Sequence, residues 1–173
     1  MISTYKESNE VLYPDEDIVT VSTSGLDELK RMALLNPSRR IRLCAHHSVE
    51  DVVHEMIIFH PQGTYVRPHK HRGKDESLHL ICGKLDCIIF DNDGNVINVL
   101  PIGEYSSGET FFYRIPSDTY HMQIFRKDTV FHEVTKGPFQ KEDTVFPNWA
   151  PEEGKKLSVS EYLEYLESQL RQN

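Results

Sequence analysis

Cysteine is scarce in this chain. Cys44, Cys82 and Cys87 are the three in 173 residues, an odd number with neither a C-x-x-C pair nor finger spacing. That excludes a disulfide framework and a cysteine-built zinc knuckle, and the three read as small reduced residues inside strands. Long hydrophobic runs are missing too: no apolar stretch approaches the roughly 20 residues of a membrane-spanning helix. The start, Met1-Ile-Ser-Thr-Tyr-Lys-Glu-Ser, lacks the basic-then-apolar order of a signal peptide. A cytoplasmic protein with no membrane partner is the expectation. Positive charge is in deficit, 19 Lys+Arg against 27 Asp+Glu for a formal net charge of −8. Phosphate binding needs a basic face, so no nucleic-acid partner is expected. With 38% hydrophobic and 27% charged residues the composition excludes disorder, and the length suits one domain with its own core.

What charge there is lies unevenly. Arg39, Arg40 and Arg42 stand together, and Arg67, Lys70, Arg72 and Lys74 surround a pair of histidines. Acid gathers in the last third, at Glu152, Glu153, Glu161, Glu164 and Glu167. A locally basic site on an acidic protein suits a small anionic substrate; a solvated charged loop is the alternative.

Periodicity divides the chain into three parts. Residues 1–53 read as an N-terminal extension. Ile18–Val21 is a possible edge strand, and a helix capped by Ser24 runs from Leu26 to Leu35 with Leu26, Leu29, Met32 and Ala33 at helical spacing. Asn36-Pro37 ends it, and Arg40 to His47 forms a lead-in strand. Residues 54–136 carry short β-branched and aromatic runs separated by turns: Glu55–His60, Leu78–Cys82, Lys84–Asp91, Val96–Leu100, Thr110–Ile115, Tyr120–Phe125 and Thr129–Val134. About eight strands in this pattern make an all-β antiparallel sandwich or barrel. Asn92-Asp93-Gly94 is a hairpin turn. Residues 137–173 form a proline-punctuated excursion whose Phe139, Phe146 and Trp149 are expected on the barrel wall. A helix opened by a Ser158–Glu161 capping box follows. Its stripe of Val159, Tyr162, Leu163, Leu166 and Leu170 covers either the barrel or a partner subunit.

The chemistry concentrates at Gly63 to Gly83. His69 and His71, one residue apart, share a strand face, because side chains alternate with period two. A turn rich in Gly, Lys and Asp follows, and Glu76 opens the next run, so a hairpin can bring His69, His71 and Glu76 to one point. Two imidazoles and a carboxylate are a usual ligand set for Zn, Fe, Mn or Ni. His121, in Ile115-Pro-Ser-Asp-Thr-Tyr-His121, is placed to be the fourth ligand of one divalent metal ion per chain. His79, three residues after Glu76, faces the other way. Tyr65 and Arg67 share the parity of His69 and His71 and are expected to face the cavity, with Arg67 offering a planar fork for a carboxylate or phosphate. Tyr65, His46 and His47 are the candidates for moving a proton, and Arg42 for a further anion contact. For both histidines a solvated loop is the alternative. Tyr113, Gln123 and Glu133 sit on later strands and are placed to complete the pocket.

The spacing Gly-x5-His-x-His-x4-Glu-x6-Gly, met by Gly63, His69, His71, Glu76 and Gly83, resembles the first motif of the cupin superfamily, and Pro116 with His121 resembles the second. The second motif departs from the general form: Asp118 stands where glycine is usual, Phe125 where asparagine is usual, and Gly108 to Pro116 is longer. The resemblance implies a double-stranded β-helix barrel with the metal in a pocket at one end. Pro61–His71, Glu76–His79, Phe90–Gly94 and Gly137-Pro-Phe with Trp149-Ala-Pro151 resemble the WbuC family of cupin-fold metalloproteins, over residues 24 to 154. That family occurs among genes for bacterial surface polysaccharides such as O-antigen. The resemblance thus implies a sugar-type substrate, nucleotide-activated or phosphorylated, and isomerase- or epimerase-type proton transfer. A non-haem iron dioxygenase and a non-catalytic sugar-binding or regulatory barrel are the alternatives. Cupins often pair through barrel edges, so a homodimer is expected.

Overall fold

A computed structural model of the chain describes residues 4–171; Met1 to Ser3, where the reading of the N-terminus began, lie outside the described residues. The elements in chain order are β1 (Thr4–Lys6), β2 (Val11–Pro14), α1 (Thr23–Leu34), β3 (Ile41–Cys44), β4 (Val53–His60), β5 (Lys70–His71), β6 (Glu76–Cys82), β7 (Lys84–Phe90), β8 (Val96–Gly103), β9 (Phe112–Ile115), β10 (Tyr120–Phe125), β11 (Thr129–Lys136), β12 (Thr144–Val145) and α2 (Lys156–Leu170). Seven strands form one sheet in the order β1-β2-β3-β4-β11-β6-β9, three form a second in the order β10-β7-β8, and β12 pairs with β5.

Strand alternation builds the core between the two larger sheets. Met56, Ile58, Leu78, Leu80, Tyr113 and Phe131 point inward from the seven-stranded sheet and meet Leu85, Cys87, Ile102 and Phe125 from the other. The sheets form an open sandwich of the double-stranded β-helix type, not a hydrogen-bonded closed barrel. Each outer face is covered by a helix. The apolar stripe of α1 lays Leu29 and Ala33 on Leu12, Ile41, Leu43, Phe59 and Val130. On the opposite side α2 sets Leu166, 1% exposed, against Ile88, Phe90 and Met122. The apolar stripe of the C-terminal helix therefore covers this chain's own sheet.

Local sequence sets the boundaries, with some departures from expectation. Ser22, not Ser24, caps α1, its Oγ accepting from Gly25 N at 3.2 Å. Ile18 to Val21 form no strand, whereas β1 and β2, whose mixed polarity hides them, extend the large sheet. The helix α2 starts before Ser158, because the turn closed by Lys155 N on Glu152 O (3.0 Å) already commits the backbone. Ser158 lies inside its first turn and caps nothing.

Candidate metal centre and its cavity

Three local features bring four side chains together. His69 and His121 are directly opposed in an antiparallel bridge, each backbone N–H donating to the other's carbonyl at 3.0 and 2.9 Å. Directly opposed residues on adjacent strands present their side chains side by side, and the two rings lie 4.7 Å apart. His71 follows on β5, and the turn through Gly73, at φ +65°, returns the chain so that Glu76 opens β6 on the inner face. One ligand atom from each of His69, His71, Glu76 and His121 lies within 4.8 Å of every other. His71 Nε2 is 3.1 Å from Glu76 Oε2, and His121 Nε2 is 3.5 Å from Glu76 Oε1.

The far side of each imidazole is fastened. His69 Nδ1–H donates to Arg67 O (2.9 Å), and His121 Nδ1–H to Thr119 O (3.0 Å). A ring nitrogen tied to a carbonyl must carry the proton, which leaves the Nε2 lone pair free toward the centre. His71 Nδ1 lies 3.4 Å from Thr144 Oγ1, supplied by β12. Two buried atoms at the centre, Glu76 Oε1 and His121 Nε2, have no hydrogen-bond partner among the described residues. Buried polar atoms are rarely left so, and three Nε2 lone pairs with one carboxylate form a donor set that fits a divalent ion.

Electrostatics within the cluster are opposed and strong. Burial raises the Glu76 carboxyl, but the His121 and His71 imidazoles outweigh it and hold the group well below the usual carboxylate range. Burial lowers His121, and Glu76 overrides that and raises it. His69 is pushed down to about 3 by burial and then by His121. Glu133, half-buried on the cavity wall, is raised to about 8 by desolvation and then by the Glu76 charge. Two nearby acids thus divide, one ionised and one holding its proton, as like charges in low dielectric must.

The centre opens into a cavity of about 590 Å³ between the sheets, within the size range of small-molecule sites. Gln123, Glu133, His46, His54, His60 and Arg42 are among its lining residues. His46 is buried and stacked 3.9 Å from His54, with its Nδ1 3.1 Å from Glu55 O; burial and then His54 lower it. Gln123 Nε2 donates to the Tyr113 hydroxyl at 3.0 Å, and burial raises Tyr113 well above a normal phenol. Arg42 reaches the cavity from β3, its Nη1 3.8 Å from Met56 Sδ.

Three sequence candidates are placed elsewhere. Tyr65 turns outward, its hydroxyl donating to Pro151 O at 2.8 Å beside Tyr162. Arg67 lies over the Phe146 ring (5.1 Å) and donates to Pro147 O at 2.7 Å, on the outer side of the wall. The parity expectation fails for both because residues 64–68 belong to no strand, so period-two alternation does not run through them. His47 is exposed, and its backbone N–H donates to Asp51 Oδ2 (2.9 Å). His79 faces outward as expected. Sequence reasoning missed His54 and His60, although alternation with Met56 and Ile58 along β4 could have found them. It also missed Thr144 and Phe146, for which no local signal exists.

Comparison with known proteins adds the fold. Residues 21–102 match a family described as a domain of unknown function (DUF6016). No curated protein matches the chain. Among solved structures, CapF with the inhibitor 3-isopropenyl-tropolone gives a TM-score of 0.50 at 16% identity, covering 62% of this chain and 31% of that one. Protein SO0799 from Shewanella oneidensis gives 0.49 at 11% identity, covering 61% and 72%. Oxalate decarboxylase from Bacillus subtilis gives 0.45 at 21%, covering 57% and 24%, so the chain spans a minor part of CapF and of the decarboxylase. At such identities the likeness is one of architecture. The fold is that of the cupins, a β-sandwich of double-stranded β-helix type with a C-terminal helix on one face.

Proposed function

We propose that the chain holds one divalent ion, Zn, Fe, Mn or Ni, on His69, His71, Glu76 and His121. On this reading it catalyses isomerase- or epimerase-type proton transfer on a small anionic sugar substrate, phosphorylated or nucleotide-activated, in bacterial surface-polysaccharide (O-antigen) biosynthesis, as a homodimer. The observation that carries the metal reading is the convergence of three imidazoles and a carboxylate, with the Nδ1 atoms of His69 and His121 tied to backbone carbonyls. When bound, the ion supplies Lewis-acid polarisation of a substrate carbonyl.

The chain's own groups do the rest. The cavity encloses the ligand and limits water. Arg42, paired with no carboxylate among the described residues, presents its guanidinium to an anionic group. Gln123, held by the Tyr113 hydroxyl, offers its amide oxygen to a substrate hydroxyl. The sugar class rests on the sequence resemblance and on this pairing of a cation with polar acceptors. Incubation of metal-loaded protein in deuterium oxide with a panel of keto-sugar phosphates and nucleotide sugars tests it by mass spectrometry. Deuterium incorporation into one of them is the expected result. Oxygen uptake with an iron-loaded form would transfer the reading to a dioxygenase, and tight binding without exchange would transfer it to a recognition protein.

A further inference from the structure

Most acidic side chains around the cavity have partners. Glu76 meets His71, Glu10 pairs with Arg40 at 3.0 Å, and Asp143 pairs with Lys74 at 2.8 Å. Glu133 is different. It lies on β11 between Met56 of β4 and Leu78 of β6, its two cross-strand neighbours, both apolar. Among the described residues its side chain makes no hydrogen bond and no close ion pair, and it lines the cavity, half-buried. A carboxyl group drawn even partly out of water without a partner is costly.

Its position defines the use. Thr135 is the β11 residue paired with Glu76, so Glu133, two residues back, shares the inner face with Glu76 as its diagonal neighbour. Such neighbours stand about 7–8 Å apart at the backbone, so both side chains open onto the same cavity. Arg42 lines the same cavity from two strands further along the sheet, past β4. The cavity therefore has the ligand cluster at one side, a cation at the other and an unpartnered carboxyl group between.

We propose that Glu133 is the proton-transfer residue of this cavity, acting on a ligand with a carbonyl near the metal cluster and an anionic group near Arg42. This rests on the function proposed above and names the group that carries it out. Once its own proton has passed to solvent, the Glu133 carboxylate takes the proton from the carbon beside the carbonyl. The C–H electron pair becomes a carbon–carbon double bond, and the carbonyl oxygen takes up the negative charge. The same carboxyl group then delivers the proton to the former carbonyl carbon while the proton of the neighbouring hydroxyl passes to the first oxygen, so the carbonyl moves one carbon along the ligand. Nothing is oxidised or reduced, and no co-reactant is consumed. The substrate class is a phosphate-bearing sugar with a hydroxyl on the carbon beside its carbonyl.

Glu133→Gln, nearly isosteric, tests this beside Glu133→Asp in the full-length, as-purified protein. The probes are dihydroxyacetone phosphate, fructose 6-phosphate and a nucleoside diphosphate 4-keto-6-deoxyhexose in deuterium oxide. Parent protein should incorporate deuterium into at least one. Glu133→Gln should lower that rate at least 100-fold, as loss of a general base does, with Glu133→Asp retaining part of it. Two readouts do not depend on turnover. Metal content and calorimetric affinity for the same probe should stay within threefold of the parent, and the melting temperature of Glu133→Gln should rise, because a half-buried carboxyl group beside the Glu76 charge has been removed. Exchange by Glu133→Gln within twofold of the parent, or a fall in its melting temperature with loss of metal, overturns the assignment and leaves the proposed function standing. Metal-loaded parent that exchanges none of the three removes both.

Discussion

At the scale of single residues, the centre is governed by where protons sit. Arg67 O and Thr119 O hold the Nδ1 protons of His69 and His121, so each ring turns Nε2 toward Glu76, where the lone pair of the neutral ring is available to an ion. Glu76 and His121 oppose each other's burial, one held low and the other raised. The linkage follows with definite signs. Glu76 contributes stability above its unfolded value, lost as pH falls through its depressed folded value; His121 contributes below its unfolded value, lost as pH rises through its raised one. An ion accepts only the neutral imidazole, so binding must expel the His121 proton wherever the raised group is still charged. His69, already neutral down to about 3, releases none. Calorimetry in two buffers of different ionisation enthalpy should therefore find proton release on ion binding at pH 6 and less at higher pH. Affinity should rise up to about tenfold per pH unit over the same span. Binding at pH 6 with no proton release would show that His121 is neutral without metal.

At the scale of elements, the connections that carry the motif are under unequal constraint. Gly63 and Gly83 both adopt positive φ, +75° and +105°. A Cβ at Gly63 meets nothing within 4 Å, whereas at Gly83 it would lie 2.5 Å from Asp128 O and 2.7 Å from Thr129 Cα. Gly63→Ala should cost about 1 kcal/mol, the conformational penalty alone. Gly83→Ala should cost clearly more in urea unfolding, since backbone must shift where β6 passes into β7; equal costs would contradict the close approach. The same contrast explains what the sequence made legible. His69, His71, Glu76 and Gly83 were readable because their roles follow from strand alternation and a tight turn. Tyr65 and Arg67 were misplaced because the same alternation was carried through residues 64–68, an extended segment outside any strand that leads into Pro68. Thr144 and Phe146 reach the centre through a non-local pairing of β12 with β5, which no local pattern encodes. The strands β1 and β2 went unread because neither shows a clean period.

At the scale of the whole molecule, the two helices close the outer faces of the sandwich and leave the space between the sheets as the place where polar groups converge. Among the described residues neither helix is long and apolar enough to cross a membrane. The tail after β11 returns across the mouth of the cavity, where Phe139, Lys141, Thr144 and Phe146 join its wall. Trp149 fixes that tail by packing on Phe90 and Tyr120 and donating to Asn92 O at 3.1 Å. The fold thus brings histidines from two distant segments and a carboxylate from a third element to one enclosed point, which is the central claim. It is tested most directly by the metal content of untagged protein purified without chelator, beside a His69→Ala/His71→Ala variant of matched secondary structure. Close to one divalent ion per chain is expected in the parent and near none in the variant. A parent that is metal-free as purified and takes up none of Zn, Fe, Mn or Ni on addition would contradict it.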